Sequence, residues 1–151
     1  MRRFHFKLQS VAVLRSLREL RAREALARAI RAVEQSLVTL AEARARRDLL
    51  EDMLRSERAF ALRAADHVAF LAALRGAGAA VATAHQAMAD AVALRDRHLD
   101  EYYAAARAVK VMDNLESRAR AAHHRAGERE EQVLLDERSA AAGARRLALI
   151  S

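Results

Sequence analysis

The sequence contains no proline, no cysteine and no tryptophan, and it has only four glycines among 151 residues. Without cysteine, the chain cannot form disulfides, thiolate metal sites or a cysteine nucleophile. Without proline and with little glycine, it lacks the residues that turns between strands ordinarily use. No uninterrupted apolar run is long enough to cross a membrane, and charges recurring from Arg15 onward exclude a secretory signal. These absences favour an all-α protein of the cytoplasm.

The abundant residues are alanine, leucine, arginine and glutamate, which are typical of long helices and coiled coils. In the first third of the chain, a heptad seam is predicted because apolar residues recur at alternating steps of four and three: Leu26, Ile30, Val33, Leu37 and Leu40. The second half continues the same alternation through Leu71, Leu74, Gly78, Val81, His85, Met88, Val92, Arg95, Leu99, Tyr102, Ala106 and Val109. Two such seams predict two long helices.

The turn between the helices has two candidate positions. Gly76 and Gly78 lie near the midpoint of the chain, but the second seam passes through them without a change of phase. The first seam fades between Ser56 and Asp66, and Asp66 can cap a following helix. We therefore expect a single domain, 1–151, with helix one at about 8–58, a turn at about 59–65, helix two at about 66–139 and a frayed tail at about 140–151. Residues after about 114 would then extend past the first helix.

The net charge of +7 is concentrated at the beginning of the chain, because residues 1–31 contain nine basic and two acidic side chains. Such an excess suggests an acidic partner. Nucleic acid is disfavoured because the arginines are interleaved with an amphipathic seam and few aromatic residues are present for base stacking. A membrane surface ranks below a protein partner because alanine and charge dominate this segment.

Catalytic signatures are missing from the sequence, which has no phosphate-binding loop, nucleophile elbow or dinucleotide-binding motif. Six histidines suggest a metal site, but the adjacent His123 and His124 point about 100° apart on a helix. A paired Glu-x-x-His set of the di-iron type is also missing. His85 is expected to be a polar core residue that sets the helix register. The sequence therefore predicts a protein with no catalytic residue, metal or cofactor.

Motifs near both ends carry a family resemblance. The start has the pattern F-x-F-x-L-Q-x-V-x-x-L-R over Phe4–Arg15, and a K-x-M-x-x-L-x-x-R segment at Lys110–Arg118 precedes R-x-E-Q-x-x-L-D-E at Arg129–Glu137. The first predicted helix ends before an F-L-x-x-L segment at Phe70–Leu74. Together these motifs resemble FliJ, the flagellar type III export protein, over essentially the whole chain.

The resemblance implies a long antiparallel two-helix coiled-coil hairpin, with the second helix longer than the first, similar to the γ-subunit stalk of rotary ATPases. It further implies a non-enzymatic export component at the cytoplasmic side of the flagellar basal body. The implied partners are the export ATPase hexamer, the cytoplasmic domain of the export gate FlhA and the export chaperones, with no nucleic acid or small molecule. The matching ATPase-binding end comprises Arg2, Arg3, Phe4, Phe6, Lys7, Gln9, Glu131, Gln132 and Asp136, and the matching gate-binding face comprises Leu40, Ala43, Phe70, Leu74 and Ala77.

Two alternative functions remain open at this stage. One is the injectisome counterpart of the same stalk, which neighbouring genes would distinguish. The other is a structural coiled coil with no ATPase partner, in which two or more hairpins bury their exposed seams in a bundle. A tetramer whose mass is independent of concentration would favour this second alternative.

Overall fold

The computed structural model of the protein describes residues 3–57 and 64–150. They form two α-helices that pack against each other, α1 at Gln9–Glu57 and the longer α2 at Ala64–Ile150, and no strand occurs within those two ranges. The predicted fold, an all-α antiparallel coiled-coil hairpin with a longer second helix, is confirmed. The turn expected at 59–65 falls largely on residues 58–63, which lie outside the described residues.

Local hydrogen bonds define the start of α1. The Gln9 amide donates to the Phe6 carbonyl at 3.2 Å, which closes a turn, and the Ala12 amide donates to the Leu8 carbonyl at 2.9 Å, which begins the helical ladder. In α2, Asp66 lies in the first turn, where a carboxylate interacts favourably with the unpaired amides of a helix N-terminus.

The interior and the end of α2 contain no break. Gly76 and Gly78 are both helical, and a Cβ atom added at either would meet nothing within 4 Å. Neither glycine therefore marks a chain reversal or a close approach. The helix also includes residues 140–150, where the sequence suggests a frayed tail. Alanine-rich composition favours continuation of the helix there, since alanine has the highest helix propensity.

Contacts divide the chain into two compact units. The terminal unit contains the chain up to Arg18 together with the residues from Ala105 onward, and the central unit contains Glu19–Ala104. Within the terminal unit the two helices are antiparallel, because Phe4 contacts His123 whereas the later residue Arg15 contacts Ala108.

The buried side chains of the central unit are mostly small. Within the part of this unit that the structure describes, the buried residues are Ala29, Leu40, Leu54, Ala77 and Ala84, each with at most 8% of its surface exposed. Small seam residues let two helix backbones approach each other, but they remove little apolar area from water. Packing in this unit therefore depends on a few leucines set among alanines.

The predicted seam of α1 is wrong at every second position. Ile30 and Leu37 are 41% and 50% exposed, whereas Ala29 is buried and Ser36 is half-buried. Leu26, Val33 and Leu40 do lie on the packed face. The predicted and the observed seam share these three positions. Between them the observed seam uses residues 29 and 36, where the predicted seam uses 30 and 37. The large side chains of Ile30 and Leu37 therefore flank the contact between the helices.

The same displacement occurs in α2. His85 is exposed and Ala84, one residue earlier, is buried. The predicted role of His85 as a register-setting core residue is therefore wrong. An imidazole at the centre of a seam would have to bury its polar nitrogens without a partner, whereas alanine has no such cost.

Candidate partner-binding surfaces

The terminal unit is organised around two phenylalanines that precede α1. The Phe4 ring meets the His123 ring edge-to-face, with centroids 5.5 Å apart and planes inclined by 70°. The Arg120 guanidinium lies 5.5 Å from the Phe4 centroid, within the range of cation–π attraction. Phe6 is 8% exposed. The residues before α1 are thus fixed against α2 by aromatic contacts.

Two polar contacts add to this arrangement. The Arg15 guanidinium donates a hydrogen bond to the Ala108 carbonyl at 3.2 Å, and Arg120 donates to the Glu116 carboxylate at 2.7 Å. Because Glu116 and His123 are partly covered, the packed face of α2 continues well beyond residue 114, where the sequence predicts an unpartnered extension. Phe4 supplies part of this cover, since it contacts His123 and Arg120 of α2 although it precedes the first helix.

An open cleft of about 520 Å³ lies beside these aromatic contacts. Its lining combines three cationic or imidazole groups with aromatic rings and one carboxylate: Arg3, Phe4, His5, Phe6, Gln9, Glu116 and Arg120. Five of the seven lining residues come from the start of the chain, so the cleft is a feature of the terminal surface that a partner would meet.

The structure brings together the first part of the predicted ATPase-binding set. Arg3, Phe4, Phe6, Lys7 and Gln9 are consecutive or nearly so, and Arg3, Lys7 and Gln9 are exposed. Arg2 lies outside the described residues. We refer to Arg3, Phe4, Phe6, Lys7 and Gln9 as the terminal cluster.

The second part of that set lies on an exposed stretch of α2. Every described residue from 128 to 145 is exposed, and we call this stretch the exposed segment. It carries Glu131, Gln132 and Asp136, and the Gln132 amide donates to the Asp136 carboxylate at 2.9 Å. These three residues are farther along α2 than the His123 that meets Phe4, so they form a separate patch of the terminal unit.

Sequence reasoning missed the apolar side chains of the exposed segment. Val133, Leu134 and Leu135 are 55%, 54% and 56% exposed. Three large apolar residues in succession point to different sides of a helix, and charged residues surround them in the sequence. That combination was the available signal, because no single packed face can bury all three.

The predicted gate-binding residues lie in the central unit, mostly on its packed face. Leu40 is 3% exposed and Ala77 is 7% exposed, while Ala43, Phe70 and Leu74 are half-buried. The structure therefore leaves only the edges of Ala43, Phe70 and Leu74 available to a partner. Leu71, next to Phe70, is more accessible at 36%.

Charged side chains near the end of α1 form a surface network. Arg47 contacts Asp48 at 2.6 Å and Glu51 at 3.5 Å, and Arg55 contacts Glu51 at 3.7 Å and Asp52 at 2.9 Å. The hydrogen bond to Asp48, together with its negative charge, raises the pKa of the Arg47 guanidinium above its ordinary value. Exposed pairs of this kind are screened by water and contribute little to stability, so the network supports the helix without defining a site.

Groups that could hold a metal ion are missing from residues 3–57 and 64–150, where no cluster of three or more potential ligands occurs. His98 pairs with Glu101 at 2.8 Å and His124 pairs with Glu128 at 3.1 Å. Both pairs are local contacts along α2, between residues three and four positions apart. Such spacing is the ordinary one for neighbours on a helix surface.

One stretch within Asp66–Arg145 is long and apolar enough, with a mean hydropathy of 1.3, to cross a membrane by length and composition alone. This finding differs from the expectation drawn from uninterrupted apolar runs. Alanine raises the mean hydropathy of this region without long apolar side chains. A helix that packs against another passes the same test, so the criterion is weak support for a membrane span.

The fold and these surfaces define a class of protein, a helical hairpin that offers exposed apolar and charged faces to other proteins. Comparison with curated proteins and with solved structures gives no match. The family model FliJ, described as flagellar FliJ protein, matches residues 4–148. The chain therefore belongs to the FliJ family and is a component of the flagellar export apparatus.

Proposed function

We propose that this chain binds the export ATPase ring through its terminal unit, as a γ-like stalk, and couples the ring to the export gate through its central unit. The observation that carries the proposal is the exposure of all described residues from 128 to 145. Val133, Leu134 and Leu135 are each more than half exposed in this stretch. Exposed apolar side chains rimmed by charge are characteristic of protein–protein contacts.

Electrostatics support the terminal unit as the ATPase-binding end. Arg3 and Lys7 are exposed cations in the terminal cluster, and Glu131 and Asp136 are exposed anions in the exposed segment. A ring that offers carboxylates to the cluster and basic groups to the segment would receive this end in one orientation. Complementary charge of this kind mainly sets specificity and the rate of association.

The gate-binding role falls to the face around Phe70. Because Leu40 and Ala77 are buried, we propose that the cytoplasmic domain of FlhA contacts the half-buried edges of Ala43, Phe70 and Leu74. The buried pair would then hold the two helices together beneath that contact.

The proposed role requires no catalysis by this chain. FliJ proteins serve as structural or escort components of the export apparatus rather than as enzymes. ATP hydrolysis would be performed by the partner ring, and this chain would transmit its effect while it also binds and recycles export chaperones. It would act in the cytoplasm, at the basal body.

Binding to the purified ATPase and to the purified gate domain, with and without nucleotide, tests the proposal. The variant Arg3→Glu with Lys7→Glu should weaken ATPase binding by roughly tenfold or more, because two attractive contacts become repulsive, and should leave gate binding unchanged. The control is Arg31→Glu with Arg44→Glu, which makes the same charge change at exposed positions of the central unit. Equal loss of ATPase binding in both variants would contradict a specific terminal site.

A second pair of variants tests the gate face. Leu71→Lys places a charge beside Phe70 and should reduce binding to the gate domain while ATPase binding persists. Leu94→Lys is the matched control, since Leu94 is 43% exposed in the same unit. Unchanged gate binding by Leu71→Lys would remove the support for this face.

A further inference from the structure

Acidic groups dominate the first part of the exposed segment. Residues 128–138 contain five acidic and two basic side chains. Glu130, Leu134 and Glu137 recur at steps of four and three, so they share one face of α2. A shallow groove on this surface is lined by Arg129, Glu130, Val133 and Leu134. The segment thus presents an apolar strip flanked by carboxylates.

The start of the chain has the opposite charge. Residues 3–18 contain four basic side chains and no acidic one. Val13, Leu14 and Leu17 are 50%, 49% and 47% exposed, while the half-buried residues of α1 between Gln9 and Arg18, Ala12 and Arg15, lie on the packed face. The outer face of α1 in the terminal unit is therefore an apolar strip beside the exposed Arg18, and the exposed cations Arg3 and Lys7 precede the helix.

These two strips do not cover each other within one molecule, because both are exposed in the terminal unit. Their charges are opposite and their apolar residues are similar in size. The exposed segment, 18 residues at 128–145, is about 27 Å long at 1.5 Å per residue. The terminal part of α1, ten residues at Gln9–Arg18, is about 15 Å long, so the segment is long enough to cover it.

We propose that the exposed segment of one copy packs on the outer face of α1 in the terminal unit of a second copy. Each copy carries both strips, so a two-fold symmetric pair makes the same contact twice. Pairing of like strips would place acid against acid or base against base, which disfavours any other two-fold arrangement of these surfaces.

A second copy fits these observations better than an anionic lipid surface. Lipid headgroups would attract residues 3–18, but they would repel residues 128–138 of the same unit. Only an occupant that carries both charges satisfies both strips. The charge balance of the terminal unit therefore favours a protein surface that carries both charges, which a second copy supplies, over an anionic lipid surface.

The pairing has a regulatory consequence that rests on the proposed ATPase contact. Glu131, Gln132 and Asp136 belong to the exposed segment, so a partner copy on this segment would compete with the ATPase ring. The dimer would then be unable to bind the ATPase through this segment until the ATPase displaces the second copy. Self-association itself is measured on the chain alone, so it can fail or hold independently of ATPase binding.

Light scattering and sedimentation equilibrium of the full chain test the pairing. A single chain has a mass of 16.8 kDa, and the expected result is a concentration-dependent rise to twice that mass. Added salt should shift the equilibrium back to monomer because the contact is between exposed charges. A monomer at every concentration, or a tetramer that does not dissociate, would overturn the proposal.

Reversing the charges of the two strips shows whether the dimer uses the proposed contact. Arg18, Glu130 and Glu137 form no ion pair with another described residue, so their reversal leaves the contacts within one copy intact. The base-reversed variant is Lys7→Glu with Arg18→Glu, and the acid-reversed variant is Glu130→Arg with Glu137→Arg. Each should dissociate roughly tenfold or more readily than the natural chain.

An equal mixture of the two variants should restore the dimer. In the mixture, the acidic segment of one variant meets the basic α1 of the other, and the basic segment meets the acidic α1. Arg31→Glu with Arg44→Glu in the central unit is the control and should dimerise as the natural chain does. Circular dichroism establishes that each variant is helical. A mixture that stays monomeric, or a control that dissociates as readily as the two reversed variants, would contradict the proposed contact. Retention of a monomeric chain on anionic vesicles would favour a lipid surface instead.

Discussion

The terminal and central units pack in different ways. Among the described residues of the central unit, three of the five that are buried are alanines, Ala29, Ala77 and Ala84. In the terminal unit the buried residues are Phe6 and Met112. The first unit depends on a seam of small residues with two leucines, and the second depends on a few large side chains from the start of the chain and from α2.

The units also differ in what their packing leaves exposed. In the central unit α1 and α2 each keep a half-covered face along their length. In the terminal unit, the half-covered Gly127 of α2 is followed by residues 128–145, whose described side chains are all exposed. The chain thus contains a central unit in which the two helices cover each other and a stretch of α2 in the terminal unit that is exposed and available to a partner.

The largest expected effect of a single substitution is at Leu40 in the central unit. Leu40→Ala should lower the free energy of unfolding by about 3 kcal/mol, because a leucine that is 3% exposed leaves a cavity in a thin seam. Leu37→Ala, at a position that is 50% exposed, should cost less than about 1 kcal/mol. Urea denaturation followed by circular dichroism measures both. Equal losses would mean that the seam has the phase 30, 33, 37 and 40 after all.

A comparable loss in the terminal unit is expected at Met112. Met112→Ala should cost about 2 kcal/mol, since this residue is 3% exposed, and it should increase amide hydrogen exchange mainly in residues 3–18 and 105–123. Val111→Ala, at a position that is 50% exposed, serves as the control. Exchange that increases equally in the central unit would show that the two units do not open separately.

The alanine seam gives the next effect in size. Ala84→Leu should destabilise the central unit by about 1–2 kcal/mol because the added methylenes have no space between closely packed helices. Ala82→Leu is the control, since Ala82 is exposed on the same helix. Thermal unfolding curves compare the two. Stabilisation by Ala84→Leu would mean that the seam contains a void and that the small residues do not reflect close approach.

The smallest effect is expected for the cation–π contact of the terminal unit. Arg120→Ala should cost about 0.5 kcal/mol, because Arg120 is largely exposed and such contacts are weak in water. Arg118→Ala, an exposed position two residues away, is the matched control. A loss above about 2 kcal/mol, outside the range for an exposed contact, would indicate that Arg120 holds the residues before α1 in place.

The all-α hairpin was predictable because heptad spacing, helix propensity and the lack of proline all agree. The face of α1 that packs against α2 was not predictable, because two phases of the same four-and-three alternation of residues fit this helix. The predicted phase, extended along the helix, would place Arg23 and Arg44 in the seam, and both are exposed. The observed phase places Ala22 and Ala43 there. The spacing along the whole helix, rather than that of five apolar residues in its middle, would have favoured the observed phase.

The contacts within the terminal unit could not be predicted from the spacing of residues in the sequence. Phe4 precedes the first helix, so no helical periodicity relates it to His123. Their contact follows from antiparallel packing of segments more than a hundred residues apart in the chain. The exposed segment had only an indirect signal, its apolar triplet among charges, because exposure depends on what the rest of the chain leaves uncovered.

Crosslinking is the most direct test of the central claim that the terminal unit meets the ATPase and the central unit meets the gate. A photocrosslinking amino acid placed at Gln132 should link the chain to the export ATPase, and the same group placed at Leu71 should link it to the gate domain, when all three proteins are present. Crosslinks from Leu71 to the ATPase, or from Gln132 to the gate domain alone, would contradict this assignment of the two units.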